Sequence, residues 1–266
     1  LFTDYNNISK EEYINGLTKI SKIKSDKDKF LVLDKLQLLN YEDIEYIEGK
    51  TGLEVIDGKD VKVYFLTYVL KKIYRLLNEE LTKKEILIIS DGSPKTYELI
   101  FKLSKEVSFL TVIGEDEEKV KQISEKIYKD TGLSIFCAKN IDKILTNYNI
   151  IINLRDEIIL DLKNLRSKPI VFDLSLEKNL SSEIKKHNDS IVTVEEFLFA
   201  HDHLLIESDL FEVKGEIPSY KYGVFRDFHI EDFKKVLVYN TAFTIEDLIN
   251  YKIRYRIPIK GLDNKK

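Results

Sequence analysis

The chain has no methionine, no tryptophan and a single cysteine, Cys137, in 266 residues. One cysteine excludes an internal disulfide framework and any zinc site built from cysteines. It suits a reducing cytoplasm, where we expect the protein to work. The missing methionines fit a trimmed chain, or one from which methionine positions have been lost, so motif spacings are used below only to within a residue. Basic charge is not in excess either. The net charge is −4 and the pI about 5.8, which argues against nucleic acid as the main partner and gives a membrane surface little to attract. No apolar run reaches membrane-spanning length. The strongest candidate, VYFLTYVLKKIYRLL, is broken by Lys71, Lys72 and Arg75. The first thirty residues are studded with Asp, Glu and Lys and do not read as a signal peptide.

What is present is a chain 43% hydrophobic and 33% charged, enough apolar content for a globular core. From Lys84 to about Val194, short apolar runs alternate with helical stretches. EILIIS, VSFLTVIG, LSIFCAK, NIIINL, KPIVFDLS and SIVTV read as strands. YELIFKLSKE, EDEEKVKQISEKIYKDTG and NIDKILTNY read as helices. This alternation predicts right-handed crossovers and an α/β fold with a doubly wound, mostly parallel, Rossmann-like sheet. A long amphipathic helix is expected over 61–80, with Phe65, Val69, Ile73 and Leu76 aligned. We expect a small mixed α/β region over 1–60, a nucleotide-binding domain with its leading helix over 61–200, and C-terminal strands and helix over 201–266 that pack back. In that tail, IEDFKKVLVYNTAFTIEDLINYKIRYR reads as one long helix or two.

Glycine is scarce where it would be most telling. The segment EILIISDGSPKTYELIFKL, Glu85 to Leu103, reads as strand, turn and helix, but its turn keeps only Gly92 of a G-x-G-x-x-G fingerprint. Ser93, Lys95 and Thr96 are able to reach an anion at the helix N-terminus, with Pro94 at the first helical position. The plain alternative is a strand–turn–helix with Ser93 as N-cap. Glu115 and Asp116 follow the next strand, a little over twenty residues on. A carboxylate there would accept hydrogen bonds from ribose hydroxyls and repel a 2′-phosphate, favouring NAD over NADP. The same GEDEE is also a good acidic first turn for a helix. Asn153, Arg155, Asp173 and Ser175 lie at or beyond later strand ends and are candidate cleft residues, or ordinary loop polar residues.

Taken together, these features resemble the NAD(P)-binding domain shared by shikimate dehydrogenase and glutamyl-tRNA reductase. They are most similar to the long-chain acyl-carrier-protein reductases of that superfamily. The resemblance lies in the long helix before the first strand, in NIIINL followed by KPIVFDLS, in HLLIESDLFEVKGEI, and in VLVYNTAFTIEDLI as a closing helix. It covers roughly residues 55 to 250. It implies a nucleotide-dependent reductase whose acyl thioester would form near VYNTAFT. Tyr239, Asn240 and Thr241 supply no thiol, and Cys137 reads as a buried strand residue, so thioester chemistry is not expected.

Other chemistry is sparse. His201, Asp202 and His203 place two histidines on one strand face, which suits two metal ligands, an acid–base residue or a surface pair. No metal site is expected. FEVKGEIPSYKYGVFRDF and YKIRYRIPIK are aromatic and basic strips that suit either a partner or internal packing. Two functions follow. One is an NAD-dependent oxidoreductase of unknown substrate. The other is a non-catalytic Rossmann-like protein that binds a partner or senses a nucleotide; on either reading a homodimer or a protein partner is open.

Overall fold

The computed structural model describes residues 9–33, 35–138, 145–165, 169–200, 207–208, 211–212 and 215–254. The chain opens with helix α1 (Lys10–Thr18), whose first turn is closed by a capping box between Ser9 and Glu12. Two short parallel strands, β1 (Phe30–Leu31) and β2 (Glu54–Val55), flank α2 (Tyr41–Thr51). Tyr13, Leu17, Leu39, Ile44 and Ile47 give this region a core of its own, into which Leu176 of the main body packs. The long helix α3 (Lys59–Leu77) follows, with Val61, Phe65, Leu66, Val69, Leu70 and Ile73 fully buried.

The alternating body then runs β3 (Glu85–Ile89), α4 (Pro94–Leu103), β4 (Phe109–Ile113), α5 (Glu117–Thr131), β5 (Phe136–Cys137), β6 (Ile150–Asn153), β7 (Ile170–Asp173), α6 (Asn179–His187) and β8 (Val192–Phe199). These strands are parallel and ordered β5-β4-β3-β6-β7-β8. The chain winds outward from β3 in one direction, then returns to β3's other side at β6. That is the doubly wound Rossmann order. The sheet is covered on both faces. Ile86 and Ile88 of β3 join the core that contains α3, α4 and α5, whereas Leu87 and Ile89 join the core that contains α6. Burial on both faces is why these strands are continuous apolar runs.

The C-terminal part departs from expectation. It holds the antiparallel pair β9 (Glu207–Ser208) and β10 (Phe211–Glu212), then β11 (Ile217–Pro218), α7 (Ser219–Tyr222), β12 (Phe233–Val238), β13 (Thr241–Phe243) and α8 (Ile245–Asp247), which runs on as a wider turn over Leu248–Arg254. The segment read as one or two helices therefore begins with a hairpin. β12 pairs antiparallel with β8 and with β13, and Tyr239 and Asn240 between them have φ of 49° and 66°. Two successive left-handed residues are what a tight hairpin turn demands, and Asn tolerates that conformation. The segment VLVYNTAFTIEDLI is thus strand, turn, strand and helix start, not a closing helix. β8 also runs five residues beyond the expected Val194, because Glu195 and Glu196 are half-buried within the strand rather than beyond it. In the segment expected as the helix NIDKILTNY, only a single tight turn at Leu145–Asn147 lies among the described residues.

Phe65 sits at the centre of an aromatic cluster that ties α3 to this antiparallel edge, with ring centroids 4.7 Å from Phe199 and 6.2 Å from Phe233. Phe65→Ala should cost about 3–5 kcal/mol in urea unfolding. A loss under about 1 kcal/mol would mean the cluster does not anchor the edge.

Candidate functional site

Ligands of doubly wound sheets bind off the carboxyl ends of the strands, where neighbouring connections leave in opposite directions. The described residues place a crevice of about 380 Å³ at that point, between the loops that follow β3, β4 and β6. Ser90, Asp91 and Gly92 come from the first loop, Gly114, Glu115 and Asp116 from the second, and Arg155, Asp156 and Glu157 from the third. Lys119 and Val120 of α5 and Tyr41 of α2 complete the wall. The three strand ends are pinned to one another: Ser90 N–H donates to Ile113 O, and Leu154 N–H to Ile89 O.

The turn after β3 is built from its own polar groups. Gly92 has φ of 73°, which favours glycine, and a Cβ there would lie 3.1 Å from Lys119 Cδ. Gly114 allows α5 to approach, since a Cβ would lie 2.9 Å from Val120 Cγ2 and 3.4 Å from Ser90 O. Gly92 N–H donates to Ser90 Oγ at 2.9 Å. Asp91 Oδ1 accepts from Ser93 N at 3.0 Å and Thr96 Oγ1 at 2.9 Å, while Oδ2 meets Lys59 Nζ at 2.5 Å. Burial alone would raise the Asp91 pKa, but the Lys59 ammonium and the Ser93 groups outweigh it and hold it below the usual value. Lys59 is itself buried, with its Nζ 4.6 Å from the centre of the Tyr41 ring.

Of the residues singled out from the sequence, Gly92, Glu115, Asp116 and Arg155 line the crevice. Asp116 caps α5, accepting from Lys119 N at 3.0 Å. Glu115 reaches Arg155, whose Nη2 lies 2.9 Å from Glu115 Oε2 and 3.1 Å from Glu157 Oε2. Burial opposes the Arg155 charge, but these two carboxylates more than restore it. Ser93 occupies the N-cap position of α4 but makes no side-chain cap; its hydroxyl is buried beside Asp91 without a hydrogen bond of normal geometry. Thr96 is buried and serves the turn. Lys95 points elsewhere, pairing with Asp60 at 2.6 Å and Glu98 at 3.1 Å.

Asn153, Asp173 and Ser175 are not among the residues that line the crevice; they form a buried knot behind it. Asp173 accepts from Asn153 Nδ2 (2.9 Å), Ser175 Oγ (2.6 Å) and Ser181 N (2.8 Å), which joins β6, β7 and α6. Lys178 donates to the carbonyls of Asp173 (2.7 Å) and Ser175 (2.5 Å) from a left-handed backbone with φ of 58°. Glu195 accepts from Ser181 Oγ, Glu196 accepts from Ser219 Oγ, and Lys62 lies 4.0 Å from Glu196. Lys59, Tyr41, Asp91, Lys119, Asp156 and Glu157 were not singled out from the sequence. Asp91 carries a signal there, a carboxylate one step past a strand end. Lys59 and Tyr41 reach the crevice only through tertiary packing.

Cys137 was expected to be buried, but it is exposed. β5 is only two residues long and is the edge of the sheet, so neither of its side chains is covered. His201, Asp202 and His203 lie outside the described residues. Among the described residues no group of three or more His, Cys, Asp or Glu side chains is placed to hold a metal ion, and no helix is long and apolar enough to cross a membrane.

No model of a known protein family matches the chain, and no curated protein matches it. Solved structures do share similarity with it. A quinate dehydrogenase from Corynebacterium glutamicum in complex with NAD is 13% identical, over 47% of this chain and 45% of that one, with a TM-score of 0.33. An L-tryptophan dehydrogenase from Nostoc punctiforme is 14% identical, over 72% of this chain and 56% of that one, with a TM-score of 0.39. The nucleotide binding domain of glutamyl-tRNA reductase from Thermoplasma volcanium is 14% identical, over 45% of this chain and 96% of that one, with a TM-score of 0.29. This chain thus covers less than two thirds of either dehydrogenase. The fold assignment rests on the strand order above, not on these likenesses.

Two measurements probe this description. Iodoacetamide should label Cys137 in the native protein about as fast as in urea, since nothing covers it; strong protection when folded would contradict an open β5 edge. Burial, with the Lys62 ammonium nearby, pulls the Lys178 pKa from its usual 10.5 down to about 8. Between those values the folded protein binds fewer protons than the unfolded one, so this group makes stability rise with pH. Urea unfolding from pH 8 to about 9.5 should show that rise, and Lys178→Met should flatten it. An unchanged slope in the variant would place the Lys178 ammonium in solvent.

Proposed function

We propose that the chain is an NAD-dependent oxidoreductase of the Rossmann type, which holds the cofactor in the crevice at the ends of β3, β4 and β6. The observation that carries this reading is the position of Glu115 and Asp116. They stand at the end of the strand next to β3, on the wall of a crevice that also contains the Gly92 turn. The ribose end fits the residues present: these carboxylates accept from vicinal hydroxyls, and Glu115 gains an opening for them if Arg155 turns toward Glu157 alone. The phosphate end fits less well, because the Asp91 carboxylate stands at the start of α4. Bound NAD would supply hydride transfer. The chain's own part is to seat the adenosine, to orient it through Glu115 and Asp116, and to narrow the crevice with Arg155. We place the protein in the cytoplasm, a reading that a free, exposed Cys137 suits.

A second reading is favoured by one specific observation. Asp91 and Lys59 satisfy each other where a ligand phosphate would sit, so the crevice is complete without a ligand. On that reading the protein uses the fold to bind a partner and does no redox chemistry.

Titration by NADH fluorescence separates the two. NADH should bind about ten-fold or more tighter than NADPH, because the extra phosphate meets the carboxylates after β4. Preference for NADPH would remove Glu115 and Asp116 from the ribose site. Absence of binding by either at millimolar concentration would favour the second reading.

A further inference from the structure

We infer that Asp91 sets the ligand class of the crevice: it takes the seat of a phosphate, so the site favours the nucleoside part of a ligand over its phosphates. The inference rests on the nucleotide reading of the crevice and names a specificity residue within it. Three observations converge on Asp91. First, its Oδ1 holds the Ser93 N–H at the start of α4, a donor that an incoming phosphate oxygen would need. Second, its Oδ2 holds Lys59, a cation that is only 6% exposed. Third, the rest of the wall adds no surplus of positive charge. Glu115, Asp116, Asp156 and Glu157 stand against Arg155 and Lys119, and both cations already pair with carboxylates of that wall.

Asp91 is ionised at neutral pH, since its pKa is held down by Lys59 and Ser93. A phosphate approaching the turn therefore meets a fixed like charge at contact distance, with its natural donor and cation already engaged. The Ser93 hydroxyl is buried beside Asp91 and helps to hold that carboxylate ionised. A nucleoside avoids the conflict. Its ribose reaches Glu115 and Asp116 on the far wall and leaves the Asp91–Lys59 pair intact. Loss of the Asp91 charge reverses the preference, because Lys59 then becomes available to phosphate.

The test is calorimetry at fixed ionic strength with adenosine, AMP, ADP and NADH on the wild-type protein and on Asp91→Asn. The Asn side chain keeps the shape and an acceptor for Ser93 N. On the wild type, ADP should bind no tighter than adenosine. On Asp91→Asn, ADP and NADH should gain about ten-fold or more, with adenosine unchanged. The variant leaves a buried ammonium unpaired, so thermal melting accompanies it; if it does not fold, the wild-type order alone decides. Wild-type ADP binding about ten-fold tighter than adenosine would overturn the inference and uphold the nucleotide reading. A folded Asp91→Asn with no gain for ADP would overturn the inference too. Absence of binding by any of the four to either protein would overturn the nucleotide reading, and the inference with it.

Discussion

Strand β3 is hydrogen-bonded to β4 on one side and to β6 on the other, and the site exists because the chain reverses its winding there. Ile86, Leu87, Ile88 and Ile89 point alternately into the two cores, so a slip of one residue would exchange the faces of the central strand. The backbone bonds Ser90 N to Ile113 O and Leu154 N to Ile89 O carry this register past the strand ends and into the loops. The loops that wall the crevice are therefore positioned by the most buried part of the molecule. A rigid scaffold presenting polar loops is the usual physical basis of a binding site.

Behind that wall the polar groups are arranged for rigidity. Asp173 is fully buried and satisfied by donors from β6, from its own loop and from α6. A buried carboxylate is tolerated only when its acceptor capacity is filled, and a filled one locks its neighbours. In the crevice the balance differs. Carboxylates outnumber cations, and Arg155 bridges two of them across the loops after β4 and β6. The same crevice thus combines the carboxylates after β4 with a turn closed by the Asp91–Lys59 pair.

The alternation of strands and helices was legible because strands buried on both faces appear as unbroken apolar runs, and NIIINL and KPIVFDLS are such runs. Gly92, Glu115 and Asp116 were legible for a related reason: they stand immediately beyond strand ends, where crevice residues of this fold lie. The hairpin of β12 and β13 was not legible. FKKVLV contains a lysine pair that suits a helix, and its turn uses Tyr239 and Asn240 rather than an Asn-Gly pair. β8 was cut short for the same kind of reason: Glu195 and Glu196 break the apolar run, and partners distant in sequence, among them Ser181, Ser219 and Lys62, make their burial tolerable. Cys137 misled because an apolar string does not say whether its strand lies at the centre of a sheet or at the edge. Lys59 and Tyr41 come from a region whose docking has no sequence signature.

We propose that the ends of β3, β4 and β6 form one nucleotide-binding crevice. Hydrogen–deuterium exchange with and without saturating adenosine tests it most directly, because it reads backbone opening loop by loop. The account predicts added protection over 90–97, 114–119 and 154–157 together, with the distant hairpin of β12 and β13 unchanged. Protection confined to any other part of the chain, with these three loops unaffected, would contradict it.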